Sequence, residues 1–132
     1  MNRLTRTAAL AAALMATCLL APGTTAHAAS GDWLSLTLTR PGTTGGGTRT
    51  ALLLCDPPQG HPKAAEACAE LSAAEGDFSR LGDSATLCPL IYAPVRASAH
   101  GRWNGKPVAY DRTFGNACEL GAATGSVFAL EG

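Results

Sequence analysis

Leu87-Cys88-Pro89-Leu90-Ile91-Tyr92, with Pro94 close behind, sets aliphatic side chains beside a cysteine and between two prolines. Pro89 fixes its own φ and biases Cys88 toward an extended backbone. A disulfide at Cys88 would tether the stretch to the rest of the domain. The strip so made is apolar, stiff and pinned. A serine-protease cleft takes its peptide in extended form, and a stiff strip loses little entropy on docking. The other role open to these residues is a loop entering a strand, with Leu90 and Ile91 in the core. Other candidates carry less chemistry. His61 and His100 lie in no context that marks a general base, so an enzyme is not expected. Gly82-Asp83-Ser84 shares three residues with the Gly-Asp-Ser-Gly-Gly nucleophile sequence of chymotrypsin-like proteases. Ala85-Thr86 replace its two glycines, and the chain is too short for two barrels, so a turn is the reading. Gln59 and Lys63, on a Pro-rich loop, are either ordinary solvated residues or the exposed candidates for an extracellular cross-linking enzyme such as a transglutaminase.

The compartment follows from the first residues. Arg3 and Arg6 precede an apolar run from Ala8 to Leu20, Pro22-Gly23 break it, and Ala26-His27-Ala28 supplies the small residues of a cleavage site. Residues 1–28 therefore read as a secretory signal peptide, too short in its apolar run to anchor in a bilayer. Cys18 raises a lipoprotein alternative, but Thr17 stands where a lipobox wants Gly, Ala or Ser. Residues 29–132 are then a single exported domain, secreted and free of the membrane after cleavage. All ten acidic residues stay in this part while two of the ten basic ones leave, so its formal charge is −2. No basic stripe remains for nucleic acid.

Removing the leader removes Cys18 and leaves Cys55, Cys68, Cys88 and Cys118. An even number in a small exported domain implies disulfides, and four cysteines allow three connectivities. The absence of any Cys-x-x-Cys argues against a metal site, and no cofactor is expected.

These side chains must be carried by regular elements. Trp33 to Arg40 alternates, with Leu34, Leu36 and Leu38 on one face and Trp33, Ser35, Thr37 and Thr39 on the other, which predicts a half-buried strand. A Gly-rich turn leads to a returning strand over Thr48 to Cys55. Asp56 to Pro62, with three prolines and a glycine, reads as irregular loop. Lys63 to Ser72 has helical spacing at Ala64, Ala65, Ala67, Cys68 and Leu71. Phe78 and Leu81 are expected core anchors in the connection that follows. Tyr92 to His100 and Val108 to Phe114 read as strands joined around Asn104-Gly105, a strong hairpin signal. Asn116 is placed to cap a short helix over Ala117 to Ala122, and Ser126 to Leu130 is expected as a final strand. Five strands, two helices and tight hairpins predict an α+β domain with an antiparallel sheet. Cys68, on the inward side of its helix, can reach Cys55 at the end of the preceding strand. Proximity along the predicted elements makes Cys118 the natural partner of Cys88, although sequence alone does not choose among the three connectivities.

Several stretches together resemble the Streptomyces subtilisin inhibitor family: Ala67-Cys68-Ala69-Glu70-Leu71; Cys88 to Val95; Gly101-Arg102-Trp103-Asn104-Gly105; Tyr110 to Cys118; and Gly125-Ser126-Val127-Phe128-Ala129. The resemblance covers about Trp33 to Leu130. It implies a five-stranded antiparallel sheet with two helices and disulfides Cys55–Cys68 and Cys88–Cys118. It implies a homodimer packed through the sheets, and inhibition of extracellular subtilisin-like serine proteases. The reactive bond would be Leu90–Ile91, with Leu90 as P1 and Ile91 as P1′. Leu87, Cys88 and Pro89 would be P4, P3 and P2, and Tyr92 and Ala93 would follow on the prime side. The chain departs from the family pattern in a slightly shorter Asp56–Pro62 loop and in Ala93 and Ala97. Trp33, Thr37, Tyr110 and Phe128 are candidate sheet-face residues.

Overall fold

The computed structural model describes residues 31–42 and 47–132, together with Gly23. The leader assigned to residues 1–28 lies otherwise outside the described residues, as do residues 43–46 of the expected Gly-rich turn.

Strand β1 (Trp33–Thr39) is the centre of the sheet because its alternation is complete. Leu34, Leu36 and Leu38 are 0%, 0% and 2% exposed. It pairs antiparallel with β2 (Thr48–Cys55) on one side and β4 (Val95–Trp103) on the other, with Leu36 opposite Ala51 and Ala99. Strand β5 (Lys106–Phe114) folds back on β4. Asn104 and Gly105 make the turn at φ 49° and 73°, the left-handed pair that a two-residue hairpin needs. The sheet order is β3-β2-β1-β4-β5, β3 being the short strand Pro58–Gln59.

One face of the sheet carries the helices. Helix α1 (Ala64–Ala73) buries Ala67, Cys68 and Leu71 against it, and Cys68 is bonded to Cys55 at a Cα–Cα distance of 5.5 Å. Phe78 opens a single 3-10 turn and stacks on Tyr110 at 4.4 Å between ring centroids. Asp77 caps that turn, and two hydrogen bonds from Ser79 hold its carboxyl below the usual value. Burial pushes the Tyr110 hydroxyl above its ordinary value, against a smaller opposing effect of Arg112. Each fully buried Leu of this core contributes about 1.5–3 kcal/mol. The other face carries Trp33, Ser35, Thr37, Leu52, Leu54, Ser98 and His100 and, among the described residues, no helix.

The α+β sheet of five antiparallel strands with two helices is as expected, but its fifth strand is not. Asp56–Pro62 is not wholly irregular: Pro58–Gln59 form a short β3, pairing with Leu54 and Cys55. Proline is tolerated there because β3 is an edge. Gly60, at φ 81°, lets the chain leave β3 so close that a Cβ would lie 2.0 Å from the Leu52 carbonyl oxygen. Conversely, Ser126–Leu130 is not a strand. Gly125 ends α2 (Ala117–Thr124) at φ 59°, and the chain then runs through consecutive turns. Val127 and Phe128 are both buried, which a strand with two unlike faces forbids but a turn closing over a core allows. Tyr110 and Phe128 accordingly lie on the helix-covered side with Phe78 and not on the open face. Strand β4 begins later than expected, at Val95, because Tyr92 to Pro94 belong to the loop before it.

Candidate functional site

The stretch from Leu87 to Ala93 lies in no helix or strand and stands out from the domain between the 3-10 turn and β4. Leu90 is 102% exposed, Leu87 95%, Tyr92 86% and Ile91 60%. Leaving four large apolar side chains in water is unfavourable for the isolated chain, and a contiguous exposed strip of this kind marks an interaction site. The core reading of Leu90 and Ile91 is therefore excluded. The strip carries no charged side chain, so docking it into an apolar cleft strands no ion.

What holds the strip out is a set of ties to the β5–α2 junction. Cys88 is bonded to Cys118 with a Cα–Cα distance of 5.7 Å, as expected. Asn116, only 6% exposed, sits beneath the loop. Its side-chain nitrogen donates to the Pro89 carbonyl at 3.1 Å and to the Ile91 carbonyl at 2.9 Å. One amide thus spans the Leu90–Ile91 bond and satisfies a carbonyl on each side of it. Its oxygen accepts the Glu119 amide at 2.9 Å and caps α2, so the side chain is fixed from both ends. Farther along, the Ala93 amide donates to the Gly115 carbonyl at 2.8 Å. Sequence reasoning found Asn116 only as a helix cap. Its second role depends on a loop distant in sequence, and only the capping signal of Asn before a helix is local.

The structure brings together every residue of the expected loop: Leu87, Cys88, Pro89, Leu90, Ile91, Tyr92 and Ala93. Ala93 is exposed, whereas Ala97 is wholly buried in β4 and faces the core. His61 lies elsewhere, its Nδ1 accepting the Lys63 amide and its Nε2 donating to the Val127 carbonyl, both at 2.9 Å. It ties the start of α1 to the C-terminal turns. His100 stands on the open sheet face, edge-on to Trp33. Gly82–Ser84 forms a bend, and Asp83 accepts the Ala85 amide rather than orienting any base. Gln59, in β3, pairs with Leu54 of β2, and Lys63 lies beside Glu66 at 3.9 Å; both are exposed. Among the described residues no three His, Cys, Asp or Glu are grouped to hold a metal, and no helix is long and apolar enough to cross a membrane.

A family model described as subtilisin inhibitor-like matches residues 28–116. Over 129 aligned positions the chain is 49% identical to a Streptomyces avermitilis protein described provisionally as a serine protease inhibitor, covering 94% of this chain and 88% of that one. It is 45% identical over 92 residues to the subtilisin inhibitor of Streptomyces albogriseolus, covering 67% of this chain and 63% of that protein. Among solved structures, Streptomyces caespitosus sermetstatin, crystallised in complex with Bacillus licheniformis subtilisin, is similar at a TM-score of 0.57 and 30% identity, over 74% of this chain and 97% of that one. With two thirds of its length matched, and relatives along nearly all of it, the chain belongs to the subtilisin inhibitor-like family, a family of protease inhibitors and not of enzymes.

Proposed function

We propose that the protein is a secreted, substrate-like inhibitor of subtilisin-like serine proteases, with Leu90–Ile91 as its reactive bond. The observation that carries this reading is the one amide of Asn116 bracing both sides of a fully exposed Leu90. Leu90 enters the S1 pocket as P1, and the protease serine attacks its carbonyl. Leu87, Cys88 and Pro89 occupy P4 to P2; Ile91, Tyr92 and Ala93 occupy P1′ to P3′. In a flexible substrate the new amine leaves and water completes the reaction. Here the amine of Ile91 stays over the acyl-enzyme and religates at high effective concentration. A loop already in its bound form avoids about 0.5–1.5 kcal/mol of ordering per rotamer-rich side chain. The interface needed, about 800 Å² per partner, fits on one end of the domain.

Leu90 also orders the targets. It suits the broad apolar S1 pocket of subtilisin-like enzymes, suits chymotrypsin-like ones less, and leaves the buried aspartate of a trypsin-like pocket unpaired. The relatives' names and the subtilisin bound to sermetstatin agree with the first of these. Secretion is supported by the signal-peptide pattern of residues 1–28 and by two disulfides. A homodimer through the open sheet face is supported by Leu52, 51% exposed there beside Trp33 and Leu54. The alternative, a binding or cross-linking substrate protein using Gln59 or Lys63, requires nothing of Leu90.

The test is titration of active-site-calibrated subtilisin with the oxidised protein and with Leu90→Gly. Stoichiometric inhibition that needs Leu90 is expected. Turnover at Leu90–Ile91 without inhibition would make the loop a substrate and bring the binding-protein alternative forward.

A further inference from the structure

We infer that Glu119 is a positioning residue for the prime side of the reactive bond, acting through Gly115. The inference rests on Leu90–Ile91 being that bond. Glu119 is the third residue of α2, the position from which a carboxylate in a capping box reaches back to the amide of the cap residue itself. Here it reaches one residue further. Its Oε2 accepts the amide of Gly115, outside the helix, at 2.9 Å. The helix already has its cap, since the Asn116 oxygen takes the Glu119 amide.

Gly115 is where the prime side is anchored. Its carbonyl accepts the Ala93 amide at 2.8 Å, at P3′. One hydrogen bond on its amide and another on its carbonyl fix φ and ψ of the residue type with the widest conformational range. A Cβ at 115 would lie 2.8 Å from Glu119 Oε2, close enough that the carboxylate would have to move aside. Glu119, Gly115 and Ala93 thus form a chain of contacts running from α2 to the strand side of the loop. Asn116 holds Ile91 independently through its carbonyl. Once the Leu90–Ile91 bond is cut, these two hydrogen bonds tie the amine end to the β5–α2 junction before β4 begins. Without the carboxylate Gly115 is free to turn, the Ala93 anchor drifts, and the effective concentration of the Ile91 amine falls. Water, instead of that amine, then takes the Leu90 acyl group from the enzyme. First docking, which depends on Leu90 and the exposed strip, is little changed.

The experiment compares wild type, Glu119→Ala, Glu119→Gln and Gly115→Ala, with Leu53→Ala as a control that weakens the fold away from this junction. It measures inhibition on mixing, the rate of Leu90–Ile91 cleavage by subtilisin, the final ratio of intact to cleaved inhibitor, and Tm. Glu119→Ala is expected to inhibit at first and then be cleaved about tenfold faster than wild type, whereas Glu119→Gln, which keeps an acceptor oxygen, stays within about twofold. Gly115→Ala should resemble Glu119→Ala, because its methyl displaces the carboxylate, and it serves in place of Glu119→Ala if that variant does not fold. Wild-type cleavage rates in both alanine variants would overturn the inference. So would an equal acceleration in Leu53→Ala, which would make the effect one of stability alone. A wild-type protein that does not inhibit subtilisin at all would overturn the reactive-bond reading and this inference with it, whereas inhibition unaffected by Glu119 overturns only the inference.

Discussion

Asn116 does at the residue scale what no single residue of the exposed strip does for itself. Its two side-chain hydrogens go to Pro89 and Ile91 and its oxygen goes to Glu119, so a buried amide is fully satisfied by two elements at once. Removing it frees the carbonyls on both sides of Leu90 and uncaps α2. Asn116→Ala is expected to lower stability by about 1 kcal/mol from the lost cap. It should also convert sustained inhibition of subtilisin into temporary inhibition, seen as recovery of protease activity over time with Leu90–Ile91 cleavage products. If inhibition persists unchanged, the disulfide and the Ala93–Gly115 hydrogen bond hold the loop without Asn116. Leu90 is different in kind: it touches nothing in its own domain, so Leu90→Gly should leave Tm unchanged while abolishing inhibition.

Among the elements, the two disulfides divide their work. Cys55–Cys68 joins β2 to α1, with Cys68 buried in the core, whereas Cys88–Cys118 joins the exposed loop to α2 with both cysteines only half-buried. A bridge closing a loop of this size contributes about 3 kcal/mol. Replacing Cys88 and Cys118 together by Ser is therefore expected to lower Tm but leave the sheet and its far-ultraviolet dichroism in place. The loop should then be cleaved with turnover. A double Cys55→Ser, Cys68→Ser variant should lose more of the fold and, where folded, still inhibit. The C-terminal turns are held by side chains from other elements: Glu70 accepts the Ser126 amide at 2.8 Å, and Arg40 pairs with Glu131. That cover explains why Ser126–Leu130, apolar enough for a strand, is none.

For the whole molecule, the open face and the surface carboxylates set two expectations. Leu52→Lys places a charge on the face opposite α1, and the reading of a sheet-packed dimer expects sedimentation to shift from dimer to monomer while each domain still titrates subtilisin. A monomeric wild type would overturn the dimer. Asp77, Asp111 and Glu131 are held below their ordinary values of 3.8, 3.8 and 4.5, by Ser79, Arg96 and Arg40 respectively. A depressed folded value means stability present above the unfolded pKa and lost as pH falls through the folded one. Tm should therefore be level in these groups' contribution above about pH 5 and fall below about pH 4, only modestly because all three are exposed. A rise in Tm on acidification through that range would contradict the sign.

The alternation of Leu34, Leu36 and Leu38, the Asn104-Gly105 turn and the spacing of α1 were legible in the chain because each is a local period or a local backbone preference. So was the strip from Leu87 to Tyr92, whose stiffness comes from adjacent prolines and a cysteine. What only the tertiary structure decided depends on contacts between segments far apart. Pro58–Gln59 become the edge strand because β2 offers them a partner, Ser126–Leu130 turn because the helix-side core must be closed, and Asn116 braces the loop because β5 and α2 deliver it beneath Leu90. Hydrogen bonds and burial between distant segments have no period in the sequence, so these are properties of the packed molecule.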